Sequence, residues 1–241
     1  MHNKEVLYQD LGIIDYQKSW DYQTQLFDAI LAEKMQNRKD NQETASTPNY
    51  LLLCQHPHVY TLGKSGSMDN LLLSEKEMQE KNIDFYKINR GGDITYHGFG
   101  QIVGYPILDL DNFSTDIHWY MRSLEEVIIR SIADFGLQGE RLEGFTGVWL
   151  DTKSNPRKIC AMGVKTSRWV TMHGFALNAN TDLSFFDYII PCGIKDKSVT
   201  SLAQELGAEV QIKDLETSIL KYFEEVFEAK ICYAQAKIVL K

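Results

Sequence analysis

The spacing of apolar residues changes character near residue 110, and that change limits the folds open to this 241-residue chain. Upstream lie short apolar runs at Tyr50 to Cys54, Val59 to Leu62, Phe85 to Ile88 and Ile102 to Leu110, of strand length and without a helical repeat. Downstream, Met121, Leu124, Ile128, Ile132 and Phe135 recur at helical spacing, which predicts a helix over Thr115 to Phe135 ending at Gly136. Strands are expected again over Gly147 to Leu150, Lys158 to Lys165 and Val170 to Asn178. Helices are expected over Val199 to Leu206 and over Asp214 to Ala229, the second burying Leu215, Ile219, Phe223 and Val226. An earlier amphipathic helix, Tyr16 to Glu33, places Trp20, Phe27 and Leu31 on one stripe behind an Asp15 cap, and the polar stretch Gln36 to Asn49 reads as a solvated loop. Strands and helices do not alternate, which argues against a Rossmann sheet or a barrel. An α+β fold remains, a mixed, largely antiparallel sheet flanked by helices, expected as a single domain over residues 1–241.

Charge and composition narrow the function classes. A formal net charge of −8 argues against general nucleic-acid binding, which needs a basic footprint. No apolar run approaches the roughly 20 residues of a membrane span, and the first ten residues (MHNKEVLYQD) are polar, so a cytoplasmic protein is expected. Cys54, Cys160, Cys192 and Cys232 are scattered without metal or redox spacing, which in that compartment means free thiols.

Three segments carry residues suited to chemistry. Arg90 to Gln101 (RGGDITYHGFGQ) concentrates glycines, whose backbone can approach a ligand closely; composition alone equally allows a plain glycine-rich turn. It lacks the placement of a nucleotide-binding loop. Lys158 to Asn180 reads as a hairpin, and regular alternation would put Lys158, Cys160 and Met162 on one face. A lysine facing a protected cavity can act as a base, although an ordinary exposed strand lysine is the commoner case. In Ile189 to Ile194 (IIPCGI), Pro191 and Gly193 stiffen the backbone around Cys192 and leave its sulfur accessible, as a nucleophile requires. The other cysteines lie in apolar strand or helix context, where an inert thiol is the rule. Two rivals remain at this level: Cys54, His56 and His58 as weak metal ligands lacking a fourth partner, and a Cys–His dyad using His97 or His173.

Taken together, these segments resemble the lipoyl(octanoyl) transferase family. The resemblance rests on Arg90-Gly91-Gly92, Thr95, His97-Gly98, Gly100-Gln101, Lys158-Ile159, Gly163, His173-Gly174, Ala176-Leu177-Asn178 and Pro191-Cys192-Gly193-Ile194. His56-Pro57, Val59-Tyr60-Thr61-Leu62-Gly63 and Thr200-Ser201-Leu202 add weaker matches, so that the similarity covers roughly Tyr50 to Leu206. It implies a biotin/lipoate protein ligase-like catalytic domain in which Cys192 is the acyl-thioester nucleophile and Lys158 lowers its pKa. It also implies an octanoyl pocket lined by Arg90, Gly91, Gly92, Asp93, Ile94, Thr95, Tyr96, His97, Ala161, Met162, Gly163, Gly174, Phe175 and Ala176. Phe99, Lys165 and Cys160 depart from the residues usual in the family at those positions.

The implied activity moves an octanoyl group from octanoyl-acyl carrier protein to a lysine of a lipoyl domain, as in 2-oxoacid dehydrogenase E2 subunits and the glycine cleavage H protein. No cofactor, metal, nucleic acid or membrane is expected to take part. The donor is already a thioester, so no ATP is needed, and amide formation drives the transfer. The alternatives are an ATP-dependent lipoate or biotin ligase on the same fold, a non-catalytic acyl-binding protein and a papain-like hydrolase. Because acyl carrier protein is acidic, a local basic rim is expected, drawn from Lys64, Arg157, Arg168, Lys195 and Lys197. Between Asn155 and Ser198 there are six basic residues against three acidic ones, the reverse of the whole-chain balance.

Overall fold

The computed structural model describes residues 3–40, 45–190 and 198–233. The chain begins with β1 (Glu5–Ile13) and α1 (Tyr16–Lys39), followed by β2 (Tyr50–Gln55), β3 (Val59–Leu62), α2 (Glu75–Glu80), β4 (Asp84–Lys87), β5 (Ile94–His97) and β6 (Gln101–Ile107). After α3 (Ile117–Ala133) come β7 (Val148–Leu150), β8 (Arg157–Ser167), β9 (Val170–Asn178), β10 (Ser198–Val199), α4 (Leu202–Leu206), α5 (Ile212–Phe227) and β11 (Lys230–Tyr233).

The large sheet has the order β10-β8-β9-β6-β2-β1-β11, with β7 also paired to β8, and a small sheet has the order β4-β3-β5. The middle of the large sheet (β2, β6, β9, β8) is antiparallel, while β1 pairs in parallel with both β2 and β11, and β10 pairs in parallel with β8. The expected mixed sheet with helices on its faces is therefore present. β1, β5, β11 and α2 are not expected from the sequence, and Val199, expected to begin a helix, instead ends β10, the helix starting at Leu202. β1 and β11 lie toward the sheet margin, and β1 exposes part of one face, so neither forms an uninterrupted apolar run.

Each face of the sheet buries a separate core. On one, Tyr120, Leu124, Ile128 and Ile132 of α3 and Leu215, Ile219 and Phe223 of α5 pack against Leu51, Leu53, Ile102, Phe175 and Leu177. Each such side chain contributes about 1.5–3 kcal/mol when fully buried. On the other, α1 buries Tyr22, Leu26, Phe27 and Ile30 against Leu52, Val103, Tyr105 and Met172, with Trp20 and Leu31 only half-buried. Asp15 caps α1 as expected, accepting from the Lys18 N–H at 3.0 Å.

The helix runs past Glu33 into the stretch read as loop because Lys34 is anchored. Its buried ammonium donates to Asp109 (2.5 Å), Asp111 (2.7 Å) and the Arg168 carbonyl (2.9 Å). A third core, built from Tyr60, Leu62, Met78, Ile94, Tyr96, Phe186 and Ile189, supports the small sheet. Among the described residues, no helix is long and apolar enough to cross a membrane.

Candidate active site

Where β6, β8 and β9 face β5 and the loop leading into it, the protein forms a partly open cavity. Its lining includes Arg90, Gly92, Asp93, Ile94, Thr95, His97, Lys158, Ala161, Met162, Gly163, Gly174, Phe175 and Ala176. The first two segments singled out by sequence thus meet at the cavity; of the third only Ile189 and Ile190 are described, and neither lines it. Gly91 and Tyr96 are not among the lining residues: Gly91 donates its N–H to the Val164 carbonyl (2.9 Å), and Tyr96 joins the small-sheet core and bonds His58 through its hydroxyl (2.7 Å). Cys192 lies outside the described residues, as do Lys195 and Lys197.

Lys158 reaches the cavity through an irregularity that alternation does not foresee. Val148 pairs with Cys160 but Trp149 pairs with Lys158, so Ile159 is an extra residue on β8. Ile159 and Cys160 both enter the core under α3, and Lys158 lines the cavity with Ala161 and Gly163 instead of sharing a face with Cys160. The Lys158 ammonium sits over the Trp149 ring at 4.6 Å, a cation–π contact that orients it. Its backbone carbonyl accepts from the Thr200 N–H (2.9 Å), which ties β10 to it.

The arginine loop is clamped from below. Arg90 Nη2 donates to the Thr61 carbonyl (2.6 Å) and to Thr61 Oγ1 (3.0 Å), and Nη1 donates to the Gly91 carbonyl (3.0 Å). Glycine at 163 is required for this approach: a Cβ there would lie 2.8 Å from the Gly91 oxygen. Gly92 takes φ +87°, a conformation costly for any residue with a side chain.

Hydrogen-bond polarity fixes the state of His97. Asn178 Nδ2 donates to the Thr200 carbonyl (2.9 Å), so its oxygen accepts from Gln101 Nε2 (2.9 Å), which also donates to the Tyr96 carbonyl (3.1 Å). Gln101 Oε1 must therefore accept from His97 Nδ1–H (2.8 Å). His97 Nε2 is left as an acceptor 3.4 Å from the Thr61 hydroxyl.

His56 donates from Nδ1 to the Ile14 carbonyl (2.7 Å) and accepts at Nε2 from the Tyr105 hydroxyl (2.7 Å). Cys54 Sγ lies 3.4 Å from His56 Nε2, but His58 is turned to Tyr96, so the three do not converge; among the described residues no three potential ligands form a metal cluster.

Burial holds these histidines neutral. Desolvation pushes His56 down to about 4, and desolvation, with neighbouring His56 and Arg90 adding to it, pushes His97 down to about 3. Desolvation, then Arg90 and Lys165, pushes His173 down to about 3. In the unfolded chain each titrates near 6.5. Below that pH the unfolded state binds more protons than the folded one, so stability is lost as pH falls from 6.5 toward the folded values. The expected slope is about 1.4 kcal/mol per pH unit for each histidine. Urea unfolding at pH 7, 6 and 5 should show midpoints falling steeply, and replacing His97 by glutamine should flatten that dependence.

The lining also contains Tyr16, Gln101, Val103, Tyr105, His173, Asn178, Phe186 and Val199, none assigned to the pocket by sequence. Gln101, His173 and Asn178 stood inside the quoted motifs; the others gave only apolar or aromatic signals. His173 is unusual twice over, with φ +62° in mid-strand and a buried Nδ1 that has no hydrogen-bond partner among the described residues. Of the basic-rim candidates, Arg157 is committed to Glu205 (2.8 Å) and Asp151 (3.4 Å), whereas Lys64 and Arg168 are exposed. Cys54 and Cys160 are buried, and desolvation raises both thiols well above their ordinary range.

Residues 15–224 match the lipoyl protein ligase A/B catalytic domain. The chain belongs to that family. It is 60% identical over 233 residues to the octanoyltransferase of Christiangramia forsetii, covering 96% of this chain and 99% of that one. To the octanoyltransferase of Parabacteroides distasonis it is 50% identical over 222 residues, covering 91% and 97% of the two chains. Two solved structures share the fold at 14% identity. One is a lipoate-protein ligase A bound with ATP (TM-score 0.70, covering 98% of this chain and 90% of that one). The other is a putative lipoate protein ligase from Thermoplasma acidophilum with bound lipoic acid (TM-score 0.69, covering 98% and 90%).

Proposed function

We propose that this protein transfers an octanoyl group from octanoyl-acyl carrier protein to a lysine of a lipoyl domain in the cytoplasm, through a thioester on Cys192. Octanoyl transfer in protein lipoylation follows from relatives that bear the name octanoyltransferase at 50–60% identity over nearly the whole chain. The observation that carries the reading of the site is a cavity that Lys158 lines together with Val103, Ala161, Met162, Phe175 and Ala176. An apolar chamber suits an alkyl tail, each buried methylene contributing about 0.8 kcal/mol.

The chemistry balances with Lys158 as the only proton carrier. The Cys192 thiolate attacks the thioester carbonyl; a carbon–sulfur bond to Cys192 forms, the one to the carrier breaks, and the departing thiolate takes a proton from the Lys158 ammonium. The amine of the acceptor lysine then attacks the acyl-cysteine. A carbon–nitrogen bond forms, the Cys192–acyl bond breaks, and the proton shed by the amine returns to Lys158. The thiolate and ammonium are regenerated. Lipoyl-domain proteins such as 2-oxoacid dehydrogenase E2 subunits and the glycine cleavage H protein are the acceptors of this reading.

Intact-mass measurement after incubation with octanoyl-acyl carrier protein tests it. An octanoyl adduct that maps to Cys192 and disappears on adding a lipoyl domain is the expected result. Octanoylation of the domain only with ATP and free octanoate, without an adduct, would replace it by a ligase.

Docking of the donor gives a second test. The acidic carrier cannot be drawn by a chain of net charge −8 as a whole, so a local basic rim is required. Arg157 is neutralised by its carboxylate partners, which shifts the weight to Lys195 and Lys197. Reversing both to glutamate should lower kcat/KM for octanoyl-acyl carrier protein about tenfold at low salt, and less at high salt. Octanoyl-coenzyme A should be used nearly as before. Equal loss with both donors would show that these lysines act on the cysteine segment itself.

A further inference from the structure

Alternation on β7 sends Val148 and Leu150 into the core under α3 and turns Trp149 to the opposite face, the one from which Lys158 lines the cavity. Trp149 is 2% exposed, yet among the described residues it joins none of the apolar cores. Its main chain exchanges both hydrogen bonds with Glu140 (2.8 and 2.9 Å), while the Lys158 carbonyl is turned to Thr200. The Trp149–Lys158 pair is therefore of the kind without main-chain hydrogen bonds, in which cross-strand side chains approach most closely. Phe145 packs edge-on against the indole at 5.9 Å. The indole N–H is buried without a hydrogen-bond partner among the described residues, and the ring meets the Lys158 ammonium through its face, 4.6 Å from the centroid.

The choice of an aromatic ring against this lysine has a chemical consequence. A carboxylate also holds a cation, but it cancels the charge and competes for the proton. Arg157, the preceding residue, is held in that way by Glu205 and Asp151. An indole face attracts the ammonium through its quadrupole, carries no net charge and offers no basic site for the proton. The flexible four-carbon stem of lysine is thereby fixed at one place, and the ring itself neither neutralises the charge nor withdraws the proton. A contact of this kind corresponds to roughly two- to 30-fold in preference for the held, charged state.

We propose that Trp149 is a positioning residue for acyl transfer, its ring face holding the Lys158 ammonium at the cavity as a cation that can still release and recover its proton. This inference rests on the role of Lys158 in the proposed octanoyl transfer. Trp149 touches no reacting atom in this scheme and acts through Lys158 alone.

Two measurements test it, the first independent of turnover. Trace acetic anhydride reacts only with neutral amines, and mass spectrometry of the Lys158 peptide reads how fast that residue is labelled. Trp149→Leu should be labelled about fivefold faster than the wild type, and Trp149→Phe, which keeps a weaker aromatic face, about twofold faster. In steady-state transfer, Trp149→Leu should lower kcat about tenfold with KM for octanoyl-acyl carrier protein within about twofold, and Trp149→Phe should lower kcat about threefold. In a Lys158→Ala background the leucine substitution should change the residual rate by less than about twofold, whereas a purely structural tryptophan would cost the same in both backgrounds. If the leucine variant does not fold, a ring-fluorinated tryptophan placed at position 149 alone keeps the size of the indole, removes its negative face and should reproduce both effects. Unchanged labelling and transfer in the fluorinated protein would overturn the proposal, as would equal loss in the two backgrounds. A wild-type protein that transfers no octanoyl group, while its variants show the labelling response, would overturn the transferase reading and leave the hold of Trp149 on Lys158 standing.

Discussion

Replacing Cys192 by alanine should abolish the octanoyl adduct and reduce transfer to below roughly one part in a thousand, since the proposed thioester needs the Cys192 sulfur. The expectation combines sequence and structure by elimination. Pro191 and Gly193 flank Cys192 in the chain and favour an accessible sulfur. Cys54 and Cys160 are buried within the two main cores with thiols that burial keeps protonated, so neither supplies a thiolate. Cys232 sits on β11, at the opposite margin of the sheet from β8 and Lys158. Circular dichroism and urea midpoints of Cys192→Ala should match the wild type. A folded alanine variant that retains substantial transfer would end the thioester mechanism.

Lys158→Ala should lower transfer by about 10²–10³-fold, the range for loss of a positioned acid–base group. Its two roles separate by chemistry. As a cation, Lys158 favours the thiolate, so the alanine variant should react more slowly with iodoacetamide near neutral pH. As a proton carrier, it is needed again when the acceptor amine attacks. Lys158→Arg keeps the charge and the contact with the Trp149 ring but does not exchange its proton at neutral pH. Self-acylation of the arginine variant should therefore survive within about tenfold, while transfer onto the lipoyl domain falls about 100-fold. Single-turnover measurement of each half-reaction checks this, and equal losses in both would remove the proton-carrier role.

Much of the scaffold was legible because it is written in local periodicity. Val59–Leu62 and Val170–Asn178 form strands with the expected bounds, and α3 lies within the expected helix, trimmed to Ile117 by the Asp116 cap. In these stretches the apolar pattern itself selects the structure, since only one period buries the side chains. The cavity-lining segments were recognisable for a related reason. Gly163 and Gly174 mark places where backbone must pass close to backbone, Gly92 takes a left-handed conformation, and such requirements leave their residues in the sequence.

What the sequence by itself determined, then, is the mixed sheet between helices and the two segments, Arg90 to Gln101 and Lys158 to Asn180, that meet at the cavity. The tertiary structure alone decided the rest. β1 and β11 exist through parallel pairing with partners far along the chain, and β5 through its pairing with β3, none of which a local pattern encodes. Lys158 faces the cavity because one extra residue, Ile159, interrupts alternation, and that bulge is set by the register of β7. The protonation of His97 descends from the Thr200 carbonyl through Asn178 and Gln101, residues brought into line by three separate strands. The left-handed backbone of His173 is likewise a property of its surroundings. In each case the deciding interaction is non-local: a hydrogen bond or a register depends on where a second segment stops, and only the folded sheet supplies that information.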